Sequence, residues 1–185
     1  MFSKFHININ NNNEGFTLIE ALIYIGVLSI MMLVIASFFL WIKKADTKAM
    51  VMEETLNNAN KVMELIVYEI KTSQEIYQPT SVFASDIGQL SLKTSEFAPA
   101  GETSTMIDFF ICNNNRICLK KESQNPIFLT SEKVSVEKLK FDLVFNDELE
   151  PSVSIDLQVD YNGPSEKPEY QHSVNLKTTT TLRNY

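Results

Sequence analysis

Metal ligands and catalytic side chains are scarce in this chain. There are two cysteines, Cys112 and Cys118, and two histidines, His6 and His172. A closed structural zinc site takes about four such ligands at close spacing, so no metal is expected. The sequence has no G-x-S-x-G elbow, no glycine-rich phosphate loop and no H-E-x-x-H helix, and His172 falls where a solvent-facing strand residue is expected. A protein that is not an enzyme and carries no cofactor is the reading. Positive charge is short as well: 16 Lys and Arg stand against 23 Asp and Glu, a net charge of -7. Binding phosphates requires clustered Lys and Arg, so nucleic acid is not expected as a partner. Glycine and proline are missing between Gly26 and Pro79, which leaves nothing in that stretch to interrupt a helix.

Apolar residues fill the space that charge leaves. From Phe16 to Ile42 there are 27 residues whose only charge is Glu20. A helix of that length crosses a hydrocarbon core of roughly 30 Å, and it exceeds the 7 to 15 apolar residues, roughly, of a signal-peptide core. The first 15 residues, "MFSKFHININNNNEG", are polar and asparagine-rich and read as a processed leader. Their removal takes away Lys4 and Glu14 and leaves the net charge unchanged. A cut behind the apolar run would fall at Ala45, a weak site following two lysines. The better site precedes the run, at Gly15.

The stretch "GFTLIEALIYIGVL", residues 15–28, resembles the N-terminal motif of type IV prepilins and type II secretion pseudopilins. The resemblance implies that a prepilin peptidase cuts between Gly15 and Phe16 and methylates the new amino group of Phe16. It makes Glu20, fifth in the mature chain, the carboxylate used in subunit assembly. Leaders in this family are usually basic, whereas this one has only Lys4, with Glu14 beside the cut. The physics of Glu20 points the same way without the family. An ionised acid one turn into an apolar helix is unfavourable without a counter-charge, and the Phe16 ammonium of a staggered neighbouring subunit supplies one at low dielectric. The partners implied are prepilin peptidase, the inner membrane, and other pilins or pseudopilins met through the N-terminal helix. The resemblance also implies an extracytoplasmic C-terminal domain and a later place in a pilus or pseudopilus. Flanking charge opposes that orientation, because Lys43, Lys44 and Lys48 follow the run while only Lys4 precedes it. An anchored single-pass binding domain that never polymerises is the alternative.

Beyond the apolar run the amphipathic segment 43–78 is expected to continue the helix, as one helix from Phe16 to about Ser73. Apolar residues at Ala45, Ala49, Met52, Leu56, Ala59, Met63, Ile66 and Ile70 alternate four and three apart, an unbroken heptad stripe expected to pack on the chain's own sheet. After Pro79 the pattern alternates. Residues 79–104 read as loop with a short strand at "QLSLK"; "MIDFFIC" and "ICLKK" flank the turn "NNNR". Further strands place Leu139, Phe141, Leu143 and Phe145, then Val153, Ile155, Leu157 and Val159, then Val174, Leu176 and Leu182 on single faces. The expected fold is α+β: a long N-terminal helix, its first half transmembrane, packed on an antiparallel sheet over 79–185, which is the pilin-like roll that the resemblance implies. The large strand region and the ending "TTTTLRNY" look most like the J-type minor pseudopilins.

Two smaller expectations remain. Asp147, Glu148 and Glu150 form an acidic turn beside Pro151 whose spacing misses the EF-hand pattern, so a solvated turn is expected rather than a calcium site. Cys112 and Cys118 face each other directly if the hairpin loop is 113–117, and lie diagonally on one face if it is 113–115. A two-residue turn at Asn114 and Asn115 would put the sulfurs on opposite faces, a register that the apolar pattern disfavours. A disulfide pinning the hairpin in an oxidising compartment is expected.

Overall fold

In the computed structural model, residues 15–96, 98–146, 149–164 and 166–182 are described. The chain divides into two compact units, Met1–Lys43 and Lys44–Tyr185. Helix α1, Leu18–Thr72, runs through both, as a stretch without glycine or proline after Gly26 allows.

In the second unit α1 buries Val51, Thr55, Ala59, Val62, Met63, Ile66, Glu69 and Ile70. From Ala59 onward this is the expected stripe. Before it the buried edge is displaced: Met52 is 51% exposed and Leu56 37%, and Ala45 and Ala49 are exposed too, while Val51 and Thr55 are covered. The cause is polar. Asn58 Oδ1 accepts from the Ser131 N–H at 2.9 Å and Glu54 Oε1 from the Ser131 hydroxyl at 3.0 Å. These bonds turn the Glu54 and Asn58 side of the helix toward the domain and leave Met52 and Leu56 outside it. Within the 43–78 segment the helix ends at Thr72, at about the expected Ser73. Ser73 closes the last turn, its hydroxyl donating to the Ile70 carbonyl at 2.8 Å. Glu75–Ile76 then becomes strand β1, because a serine that competes for helix carbonyls ends the helix where a sheet edge offers pairing.

Strands β2 (Gln89–Thr94), β3 (Thr105–Cys112), β4 (Arg116–Lys121) and β5 (Ile127–Phe128) follow β1 in one antiparallel sheet ordered β1-β2-β3-β4-β5. Strands β6 (Val134–Asn146), β7 (Leu149–Tyr161) and β8 (Ser173–Thr181) form a second, ordered β6-β7-β8. The alternating pattern foretold antiparallel strands with one apolar face. It did not foretell the division into two sheets. That division falls at 129–133, where Ser131 bonds to α1 rather than to a strand. Pro151 lies within β7, not in a turn. It sits at a register shift between Val144 and Asn146, beyond the last pairing of β7 with β8 at Ser152, a bulge that tolerates a residue without an N–H donor.

The inward faces of both sheets and the α1 stripe share one core. Phe109, Phe141, Ile66, Ile70, Leu139 and Ile155 are among its fully covered side chains. Each contributes on the order of 1.5–3 kcal/mol relative to exposure. The outer edge of β6 is closed by residues 84–88, where the Gly88 N–H donates to the Leu139 carbonyl and the Leu139 N–H to the Asp86 carbonyl, both at 2.8 Å. Glycine is required there, since a Cβ at Gly88 would lie 2.8 Å from the Leu139 carbonyl oxygen.

Candidate functional site

The N-terminal turn of α1 gathers the residues that the sequence singled out. Gly15 and Phe16 precede the helix and are exposed, Phe16 by 75%. The Glu20 N–H donates to the Thr17 carbonyl at 3.1 Å and lies 3.4 Å from the Thr17 hydroxyl oxygen, so Thr17 caps the helix start. Glu20 stands three residues on, with its charge at the positive end of the helix dipole. Its Oε1 accepts from the Tyr24 hydroxyl at 3.2 Å. The Tyr24 ring in turn meets the Phe16 ring edge-on, centroids 5.9 Å apart. Phe16, Glu20 and Tyr24 thus share one face at four-residue spacing.

Sequence reasoning missed Tyr24 and Thr17. Both were legible: Tyr24 is four residues beyond Glu20, and Thr17-x-x-Glu20 has the capping-box spacing. The local contribution of the Glu20 side chain is its bond to Tyr24 and its charge in the first turn, besides any role toward other molecules. The local bond engages only one carboxylate oxygen.

The side chains that follow suit a hydrocarbon environment. The helix contains a stretch long and apolar enough to cross a membrane, and none of that stretch is buried within the chain. Its polar groups are satisfied locally: the Ser29 hydroxyl donates to the Ile25 carbonyl at 2.7 Å and the Ser37 hydroxyl to the Leu33 carbonyl at 2.9 Å, as an apolar solvent demands. Trp41 stacks on Phe38 at 6.1 Å and is followed, after Ile42, by Lys43 and Lys44, the composition of a membrane–water boundary.

Elsewhere, the sulfurs of Cys112 and Cys118 are bonded, with Cα atoms 5.8 Å apart. Cys112 pairs with Arg116 and Phe110 with Cys118, so the loop is 113–115 and the cysteines are diagonal neighbours. Asn114 and Asn115 turn the chain in left-handed conformations, at φ 63° and 52°, which asparagine tolerates better than most residues. Cys118 is buried. His172 departs from expectation: it precedes β8 and is half-buried, with Nε2 enclosed and without a hydrogen-bond partner among the described residues. Asp147 and Glu148 of the acidic turn, and the side chain of Glu150, lie outside the described residues.

Comparison with known proteins adds one match. Residues 10–36 fit the family model described as the prokaryotic N-terminal methylation motif. This places Gly15, Phe16, Glu20 and Tyr24 inside that motif, whose later residues belong to a helix with a stretch long and apolar enough to cross a membrane. No curated protein and no solved structure matches the chain.

Proposed function

We propose that the chain is a minor pilin or pseudopilin, a non-catalytic structural subunit of a type IV pilus or type II secretion pseudopilus, with J-type pseudopilins as its nearest functional parallel. The observation that carries the reading is the methylation motif over 10–36, set on an apolar helix whose Glu20 lies one turn from Phe16. Gly15 supports it. A Cβ there would meet nothing within 4 Å, so the fold makes no demand for glycine at that position. A peptidase that must approach the backbone closely does make one. Cleavage before Phe16 frees an ammonium group, which is then methylated, on the face that carries Glu20. The Glu20 carboxylate of one subunit meets the Phe16 ammonium of the next in the inner membrane. That pairing favours addition in register, because neither charge is comfortable alone in hydrocarbon. The two-sheet domain then lies on the extracytoplasmic side.

The lysines after the span support the second reading, a solitary membrane-anchored binding domain. One experiment separates them. With Glu20→Ala, cleavage and insertion should persist, while capture into complexes with other pilins falls at least tenfold. Unchanged co-assembly would leave Glu20 with its local contribution alone. A Leu22→Cys chain that forms no cross-links to other pilins under oxidation would favour the solitary anchor.

A further inference from the structure

The end of the second sheet, where β7 finishes and β8 begins, holds a cavity of about 430 Å³. Tyr161 and Tyr170 flank it, ring centroids 6.3 Å apart and planes inclined by 31°. Gly163 lets the chain pass between them: a Cβ there would lie 2.8 Å from Cε1 of Tyr161 and 3.1 Å from Cβ of Tyr170. The Tyr161 N–H donates to the His172 carbonyl at 2.9 Å, which fixes His172 in the cavity wall. Its Nε2 is enclosed behind that wall and has no partner among the described residues, so the imidazole borders the cavity without offering that nitrogen to it. Asp160 borders the cavity as well. Its Oδ1 accepts from the Ser173 hydroxyl at 2.6 Å and from Gln158 Nε2 at 3.4 Å, which leaves Oδ2 outside that network.

The next residue along, Asn162, lines a second cavity of about 660 Å³ with the hairpin tip Asn114 and Asn115. Arg116 also borders it but is already engaged. Its Nε donates to the Thr130 carbonyl at 2.9 Å, its guanidinium sits 4.0 Å from the centre of the Phe128 ring, and Nη1 is 3.6 Å from Glu132. An anion would find no uncommitted cation there. The first cavity offers two tyrosine rings and the Asp160 carboxylate, and the second offers the amides of Asn114, Asn115 and Asn162 beside Glu132 and Ser135. That set suits sugars. The C–H face of a pyranose lies on an aromatic ring, and each hydroxyl both donates and accepts, so mixed polar side chains can saturate it.

We propose that this end of the domain binds an oligosaccharide. One sugar unit lies against Tyr161 and Tyr170, with a hydroxyl on Asp160 Oδ2, and the next reaches the amides of Asn162, Asn114 and Asn115. The site is independent of how the N-terminal helix is used.

The full chain, held in a zwitterionic detergent free of sugar headgroups, is exposed to immobilised cellotetraose, laminaritetraose and chitotetraose. Retained glycans are then titrated while the imidazole nitrogens of His172 are followed by NMR. At least one glycan should be retained and should shift the imidazole signals, since the ring borders the cavity. Tyr170→Ala should weaken it about tenfold or more, the loss of one aromatic face. Asp160→Asn keeps the side-chain shape and should weaken it comparably, which decides the matter should Tyr170→Ala fail to fold. Retention of none of the three glycans overturns the proposal, as does equal retention by both variants.

Discussion

The Ser131 hydroxyl donates to Glu54 Oε1 at 3.0 Å, joining residues 77 apart in sequence. With the bond from the Ser131 N–H to Asn58 Oδ1, it holds α1 to the segment between the two sheets and decides which side of the helix is covered. Lys133 Nζ adds a pairing at 3.5 Å to Glu54 Oε2.

The Glu54 carboxyl is accordingly held below its ordinary 4.5, chiefly by the Ser131 hydroxyl, with Asn58 and Lys133 adding to it against the opposing effect of burial. A depressed folded value means that the stabilisation is present above 4.5 and is lost as pH falls through the folded value. Glu54→Gln should cost about 1 kcal/mol at pH 7, and the gap from wild type should narrow as pH falls below 4.5. Denaturant unfolding of the micelle-held chain on either side of that value checks this.

Glu69 behaves oppositely. It lies in the buried stripe of α1. Burial raises its carboxyl above 4.5, Glu96 adding to the rise and Lys121 opposing it. The folded state thus holds this proton more tightly than the unfolded chain, and stability declines as pH rises from 4.5 through the raised value. Glu69→Gln should be more stable than wild type at pH 7 and indistinguishable from it at about pH 3.5. A less stable variant at pH 7 would mean that the attraction of Lys121 outweighs burial.

Much of this was legible in the residues. The long helix follows from the missing glycine and proline, and the strand faces from strict alternation: Leu139, Phe141, Val153, Ile155, Leu157 and Val159 are all buried as their period requires. Period alone could not fix the helix seam before Ala59. There Glu54 and Asn58 bond to a residue more than 70 positions away, and an apolar-stripe argument is blind to polar ties. Strands of two residues, such as Glu75–Ile76 and Ile127–Phe128, are too short to show any period. At the N-terminus, Gly15 and Phe16 stood out through the resemblance of their motif, and Glu20 also as the one charge in the apolar run. Tyr24 did not, since a tyrosine in an apolar helix breaks none. The cavity at Tyr161, Tyr170 and His172 arises from the meeting of β7, a loop and β8, which no local pattern announces.

The bridge between Cys112 and Cys118 closes a short loop, with a sequence separation of 6. Chain-entropy reasoning assigns it about 2 kcal/mol. Protein prepared without reductant should show no alkylatable thiol, and reduction should lower the stability of the domain by about that amount. Two alkylatable thiols per chain would remove the bridge and weaken the argument for an extracytoplasmic domain.

Whether this is a prepilin-type subunit turns on where the mature chain begins. Intact-mass spectrometry of the full chain, extracted from membranes after co-expression with a prepilin peptidase, reads that directly. The mass should correspond to a chain starting at Phe16 with one added methyl group, and Gly15→Val should block the shift and retain the leader. A chain still beginning at Met1, or cut behind Ala45, or an unchanged Phe16 start in the Gly15→Val variant, would contradict the assignment.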